Sequence, residues 1–153
     1  MKHGIVKRHI CIFLVFLTPL LLLAEKEVLV DLSLQKAYAL EDGKVLFEGR
    51  ISSGKSDHET PTGSFKILQK QRMHTSNLYP EPNGGAKMPY MMRLTWDGIA
   101  IHQGYTPGYP VSHGCIRIQR KFAKRLFAWT SKGTPVTIEG DTCLLYTSPS
   151  PRD

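Results

Sequence analysis

The chain has 153 residues, of which 41% are hydrophobic, and it carries a formal charge of +7. This length fits one globular domain, and contents of 22% charged and 9% aromatic residues argue against global disorder. Three of the positive charges lie in the first 24 residues, which contain no acid, so the rest of the chain is only mildly basic. Because no block of Lys and Arg is interleaved with aromatic residues, we expect no nucleic-acid partner.

The first 24 residues have the pattern of an export signal. Lys2, Lys7 and Arg8 precede an apolar run over residues 10–24. This run is shorter than the roughly 20 residues that a membrane span needs, and it suits the core of a signal peptide. Leu22 stands where a cleavage site prefers a small residue, so an uncleaved anchor in contact with the inner membrane is the alternative. We therefore predict an exported protein of the periplasm or cell wall.

The other end of the chain, residues 143–153, differs in composition from everything before it. A DNA string resembling a sequencing adapter can encode this segment, so we interpret it as a non-native tail. Cys11 lies in the leader and Cys143 in the tail, which leaves Cys115 as the single cysteine of the predicted domain, residues 27–140. One thiol cannot form an internal disulfide.

Between these ends, short apolar runs alternate with turn-forming residues. Strands are predicted over residues 27–32, 36–40, 44–51, 64–71, 91–95, 99–102 and 135–139. Asp42-Gly43 and Asp97-Gly98 are hairpin signals between neighbouring strands. A long irregular segment is predicted over residues 72–89. We expect His58 and His74 to be exposed in polar loops.

After residue 118 the spacing of apolar residues becomes helical. The apolar positions that recur with this spacing are Phe122, Ala123, Leu126, Phe127 and Trp129. Gly133 is predicted to cap the C-terminus of that helix. The fold class predicted from the pattern is therefore mainly β, with one prominent helix.

The candidate active site is the motif His113-Gly114-Cys115, with His102 eleven positions upstream at the end of an apolar run. A lone thiol with nearby histidines predicts a cysteine nucleophile whose protons are handled by an imidazole. A neighbouring imidazolium would lower the thiol pKa from its usual value of about 8.5. Gly114 lacks a side chain, so we expect the amides of Gly114 and Cys115 to hold an oxyanion.

Residues around this motif suggest supporting roles. Ser112 and His113 are predicted to orient the reactive pair, and Arg117 to bind a substrate carboxylate, with a surface salt bridge as the alternative for Arg117. Tyr109 belongs to a set of aromatic residues that either line a groove or pack in the core, together with Tyr90, Trp96 and Tyr105.

The sequence also allows two roles for Cys115 that involve no nucleophile. Free cysteine is often simply a small buried hydrophobic residue. Alternatively, His102, His113 and Cys115 would supply three zinc ligands, although no fourth ligand or acidic general base is obvious nearby.

The run from Ser112 to Arg117, preceded by Ile101-His102 and a loop rich in Gly and Pro, resembles the signature of L,D-transpeptidases, the YkuD-type catalytic domain. The resemblance extends over about residues 28–138. It includes Ser53-Gly54-Lys55 in the middle of the chain and the segment Thr60-Pro61-Thr62-Gly63-Ser64-Phe65. One departure is Gln103 after His102, where many members have glycine or serine.

The resemblance implies a β-sandwich-like domain and an acyl transfer on peptidoglycan stem peptides. Cys115 would attack the carbonyl between diaminopimelate and D-alanine, release D-alanine and form a thioester. An amine of a second stem would then complete a 3→3 cross-link. His102 would donate and accept protons, His113 would support it, and Gly114 would supply an oxyanion amide.

Arg117, Ser112 and Tyr109 are the substrate-binding residues that the resemblance implies. The resemblance also implies that neither a metal nor an organic cofactor is needed and that carbapenems acylate Cys115. We expect the protein to be a monomer. The alternatives are an L,D-carboxypeptidase or related hydrolase on the same scaffold, and a non-catalytic wall-binding domain.

Overall fold

The computed structural model describes residues 24–77 and 84–142, so the predicted leader up to residue 23 and the predicted tail from residue 143 lie outside the described residues. The described chain forms nine strands and one helix. In chain order these are β1 (Lys26–Asp31), β2 (Lys36–Glu41), β3 (Lys44–Ser52), β4 (Gly63–Lys66), β5 (Gln69–Thr75), β6 (Lys87–Arg93), β7 (Ala100–Gln103), β8 (Ile116–Ile118), α1 (Arg120–Trp129) and β9 (Pro135–Glu139). The mainly β prediction is confirmed. No helix within residues 24–77 and 84–142 has the length and hydropathy to cross a membrane.

All nine strands belong to one curled sheet with the order β4-β9-β1-β2-β3-β8-β7-β6-β5. Strand β3 joins its two halves. Most of β3 pairs with β2, whereas its last residues, Ile51 and Ser52, pair with Ile118 and Arg117 of β8. A single long strand therefore carries the pairing from the N-terminal meander to the half of the sheet that holds the cysteine motif.

The main core lies between the two halves of this sheet and the helix. Alternating side chains of the strands contribute buried residues, such as Val28 and Ile101, and α1 adds Phe122, Ala123 and Leu126. These three positions share one face of the helix, which is the face that apolar spacing selects. A smaller cluster of Met88, Met91 and Ala100 lies apart from the main core.

Both predicted hairpin turns are present. Asp42 and Gly43 have φ values of 52° and 74°, the left-handed backbone that a tight two-residue turn requires. Gly98 has a φ of 120° in the turn between β6 and β7.

Three local predictions were wrong. Residues 64–71 form parts of two strands, because β4 pairs with β9 whereas β5 pairs with β6 at the other end of the sheet. Residues 72–89 are not wholly irregular, since β5 continues to Thr75 and β6 begins at Lys87. The helix cap is Thr130, which bonds to the Leu126 carbonyl, while Gly133 lies in the following turn.

We predict that Gly49→Ala destabilises the fold. A β-carbon at residue 49 would lie 2.4 Å from Cγ of the Phe122 ring, so the helix or the ring must shift. The expected cost is about 1–3 kcal/mol of unfolding free energy, measured by urea denaturation. Combining the change with Phe122→Leu should cost less than the sum of the single changes, because the smaller side chain leaves room. Strictly additive costs would contradict this packing.

Candidate active site

Strands β7 and β8 bring the predicted reactive residues together. They pair in parallel, with Ile101 opposite Ile116 and His102 opposite Arg117. Ile101 and Ile116 face the main core. Because side chains alternate along a strand, His102 and Arg117 project from the other face, and Cys115 follows with them. His102 and Cys115 are thus diagonal neighbours on one face of two adjacent strands.

The sulfur of Cys115 is partly buried and contacts the turn that precedes β7. The thiol donates a hydrogen bond to the Gly98 carbonyl over 3.5 Å, and the side chain packs against the small cluster of Met88, Met91 and Ala100. Burial raises the pKa of the thiol, an effect opposed by the Ala100 amide and by the charges of Arg117 and Arg93. Cys115 therefore rests as a neutral thiol at neutral pH.

His102 is 7% exposed, and its ring has a defined tautomer. Nδ1 lies 2.8 Å from the Gln103 carbonyl oxygen, which can only accept, so Nδ1 carries the proton and Nε2 is free to accept one. Burial lowers the pKa of His102 to about 4, with the Gln103 carbonyl opposing the shift and the Arg117 charge adding to it. The imidazole is neutral near pH 7.

The resting pair therefore differs from the imidazolium and thiolate expected from the sequence. Burial favours the neutral form of each group, since charged groups lose solvation there. Within the described part of the chain, the thiol bonds to Gly98 and not to His102. The geometry thus supplies a neutral base close to a neutral thiol.

Ser112 braces the turn that carries the cysteine. It is 1% exposed, its Oγ accepts the Gly114 N–H over 3.1 Å, and it donates to the Cys115 carbonyl over 2.5 Å. The hydroxyl of Ser112 is buried and bonded to the turn in this state, and its predicted contact with substrate stays a prediction. The Gly114 amide is engaged with Ser112 in this state, so its oxyanion role stays a prediction.

Further support for the cysteine motif comes from two segments of the resemblance, residues 53–55 and 60–65, for which no role was predicted. Thr60 Oγ1 donates to the Gly114 carbonyl over 2.7 Å and accepts the Gly54 amide over 2.9 Å. The Ser53 carbonyl accepts the amides of Val111 and Ser112. A β-carbon at Gly54 would lie 1.9 Å from the His58 carbonyl oxygen, so only glycine fits there. The loop after β3 thus fixes the backbone of the cysteine motif.

Arg117 and His113 lie at the accessible side of the motif. No ion pair among residues 24–77 and 84–142 involves Arg117, so the salt-bridge alternative is not found there. His113 is exposed, with its ring centroid 4.8 Å from that of His58. Burial and the charge of Lys55 lower the pKa of His113. The positive charge of Arg117 therefore faces the site, and it has no acidic partner among the described residues.

The predicted set of aromatic residues divides between surface and core. Trp96, Tyr105 and Tyr109 are 75%, 71% and 56% exposed, so core packing is excluded for these three. Tyr90 instead packs against the main core, with its ring 5.7 Å from that of Phe127. Tyr109 lies in the loop between β7 and β8, where substrate contact stays a prediction.

A cavity of about 290 Å³ is lined by residues of β5, β6 and the turn before β7, and Cys115 is not among them. The lining includes Gly98 and Ala100, which both contact Sγ, and also Trp96, His74 and Arg93. His74 lies on β5 and was wrongly placed in an irregular polar loop. Arg93 was missed, because a single arginine in an apolar strand carries no motif.

The zinc alternative receives no support from the arrangement of side chains. Within the described ranges, no three residues among His, Cys, Asp and Glu converge on a position that a metal ion would occupy.

Comparisons with known proteins agree on one family. The family model described as the L,D-transpeptidase catalytic domain matches residues 25–138. L,D-transpeptidase 1 of Mycobacterium tuberculosis is 31% identical over 114 residues, which cover 65% of this chain and 44% of the relative. The chain thus spans less than half the length of this curated relative.

Solved structures show the same similarity. An L,D-transpeptidase from Mycobacterium smegmatis matches with a TM-score of 0.69 and 26% identity, over 76% of this chain and 59% of that one. An L,D-transpeptidase solved in complex with imipenem matches with a TM-score of 0.69 and 25% identity, over the same shares of the two chains.

We predict that the thiol of Cys115 reacts slowly at neutral pH. Because burial raises the pKa of this thiol above that of an ordinary cysteine, alkylation by iodoacetamide should accelerate with pH and reach its midpoint only in alkaline solution. His102→Gln should leave that midpoint nearly unchanged, since the neutral imidazole does not stabilise the thiolate. A midpoint below about 7 that rises in His102→Gln would instead demonstrate a preformed ion pair.

Proposed function

We propose that this chain, which belongs to the L,D-transpeptidase catalytic-domain family, is a cysteine acyltransferase that acts on the peptide stems of bacterial peptidoglycan. The observation that supports the proposal is the strand register of β7 and β8, which puts His102 and Cys115 on one face of the sheet. A thiol, an unprotonated imidazole nitrogen and room for a peptide are what acyl transfer to sulfur requires.

The first half-reaction forms a thioester. Cys115 Sγ attacks the carbonyl carbon between diaminopimelate and D-alanine while Nε2 of His102 takes the thiol proton. The tetrahedral intermediate collapses with cleavage of the C–N bond, and the imidazolium returns the proton to the departing amine. His102 therefore alternates between base and acid, which the free Nε2 lone pair permits.

The second half-reaction releases the acyl group. An amine of another stem attacks the thioester, gives its proton to His102 and forms the new amide as the C–S bond breaks. The proton then returns to the sulfur. Water as the acceptor would give the L,D-carboxypeptidase reaction with the same groups. Rotation about the Cys115 side chain would shorten the diagonal distance to His102 before either step.

The intermediate oxyanion needs donors close to the sulfur. The amides of Gly114 and Cys115 are the candidates, and the Gly114 amide becomes available when the Ser112 hydroxyl turns away. Arg117 would attract an anionic peptide, and the exposed ring of Tyr109 would contact it. His113 would support this arrangement from the surface side.

The proposal extends to the rest of the chain. Residues 1–24 would direct export to the periplasm or cell wall, by a cleaved signal or by an anchor in the inner membrane. Residues 27–140 would form the catalytic domain, acting as a monomer without a cofactor, and residues 143–153 would be non-native.

We predict that Cys115→Ala abolishes D-alanine release from tetrapeptide stems, measured by mass analysis after incubation with muropeptides. His102→Gln should reduce acylation by roughly 100-fold or more, because no base then takes the thiol proton. A 3→3 dimer identifies the transferase, and a tripeptide alone identifies the hydrolase. Circular dichroism should show that both variants are folded. Stem binding without any turnover by the unaltered chain would favour the wall-binding alternative.

We also predict that a carbapenem acylates Cys115. The sulfur would bond to the β-lactam carbonyl carbon, the ring C–N bond would open, and the nitrogen would receive the thiol proton. Intact-protein mass spectrometry should show an increase equal to the whole carbapenem, because ring opening expels no atom. Cys115→Ala should show no increase, and an adduct that persists there would contradict the assignment of the nucleophile.

A further inference from the structure

The cavity lined by Gly98 and Ala100 is also lined by a cation, Arg93, that the proposed reaction has not used. Arg93 ends β6 and pairs with Ala100 of β7, whereas its neighbour Met92 pairs with Ile101 and faces the main core. Alternation therefore places Arg93 on the same face as Cys115. Two strand spacings, about 10 Å, separate their backbones.

Among the described residues, two neutral side chains hold the guanidinium of Arg93. Its Nε donates to Gln69 Oε1 over 3.1 Å, and Nη2 lies 3.5 Å from His74 Nε2. None of the ion pairs among residues 24–77 and 84–142 includes Arg93. Asp97 also lines the cavity but stays exposed on the turn and is not paired with Arg93. Arg93 is thus fixed in position, and no acidic partner for it is found among the described residues.

Two residues of this cavity also contact the sulfur, which does not itself line the cavity. Gly98 and Ala100 both line it, and both contact Sγ through their backbone groups. Arg117 lies on the same strand as the cysteine, two positions further along, so the two arginines approach the sulfur from different directions. A peptide bound with its carbonyl at Sγ would extend one end into the cavity that Arg93 lines.

We propose that Arg93 binds a free carboxylate of the peptide substrate in this cavity and thereby determines which stems are accepted. This inference rests on the proposed function. The planar guanidinium suits bidentate binding of a carboxylate, and the neutral partners leave part of its fork available. Two carboxylates of a stem fit this chemistry. One is the carboxylate of the departing D-alanine, which is separated from the scissile carbonyl by one nitrogen and one carbon. The other is the carboxylate on the diaminopimelate side chain.

The test measures binding in the Cys115→Ala background, so that it does not depend on turnover. Three synthetic tetrapeptide stems serve as probes: the free acid, the C-terminal amide and the side-chain amide. Calorimetry should show that the free acid binds roughly 10- to 100-fold more tightly than one of the amides, because a charged hydrogen bond is lost. The amide that binds weakly identifies the carboxylate that Arg93 holds.

Arg93→Met should reduce this preference for the free acid to about one. The matched control is Arg72→Met, which removes the same charge from β5 at a different cavity, lined also by Tyr90 and Gln103, and should keep the preference. Thermal melting checks that each variant is folded. The comparison of the free acid with the two amides does not depend on this check, because it uses protein in which Arg93 is unchanged.

Equal affinity for all three probes, no binding of the free acid, or a preference that survives Arg93→Met would overturn the inference. Failure of the proposed function is a separate result, since it would appear as absent turnover in the chain that retains Cys115.

Discussion

The parallel pairing of β7 with β8 is the constraint on which the site depends. Parallel neighbours cannot be joined by a tight hairpin, so the chain returns through the loop over residues 104–115 and places the cysteine at the start of the next strand. The register is fixed by burial of Ile101, Ile116 and Ile118 in the main core. If the pairing shifted by one residue, Cys115 would be buried in that core and Ile116 would be exposed. The site would lose its thiol, and apolar surface would face the solvent.

The electrostatics of the site follow from that placement. Burial keeps both His102 and Cys115 neutral, while Arg93 and Arg117 stand on either side without described acidic partners. Positive charge around neutral reactants favours negative charge that arrives with a substrate carboxylate or develops on an oxyanion. The same charges disfavour a resting imidazolium. An acyl transfer that passes a proton between neutral groups is the chemistry that fits this field.

The sequence predicted those parts of the protein that depend on local pattern. Strands with alternating apolar residues, turns at Asp-Gly, and the helix with its buried Phe122 and Leu126 all have short-range signals. Polar β5 has no such signal, because it forms the last strand of the sheet and is specified by pairing with β6. His74 was misplaced for that reason, whereas Arg93 lies on the apolar strand β6 and was missed because a single arginine carries no motif. Their place at one cavity arises from long-range strand order, which spacing along the chain does not encode.

The pKa values of the reactive pair were also beyond local pattern. The spacing of His102 and Cys115 indicated that they would meet, and the strand register places them on one face. Whether the pair ionises depends on how deeply each group is buried. The burial of Cys115 depends on the small cluster of Met88, Met91 and Ala100, which comes from two strands and packs against this side chain.

Strand β8 is only three residues long, yet the backbone of Cys115 just before it is firmly placed. Thr60 joins the Gly54 amide to the Gly114 carbonyl, and the Ser53 carbonyl holds two amides just before His113. Because these bonds come from the loop after β3, the backbone of the motif is clamped from a distant part of the sequence. A clamped backbone leaves side-chain torsions as the available motion. The approach of the thiol to His102 must then be a rotation of Cys115, which requires release of its weak bond to Gly98 and no movement of the sheet.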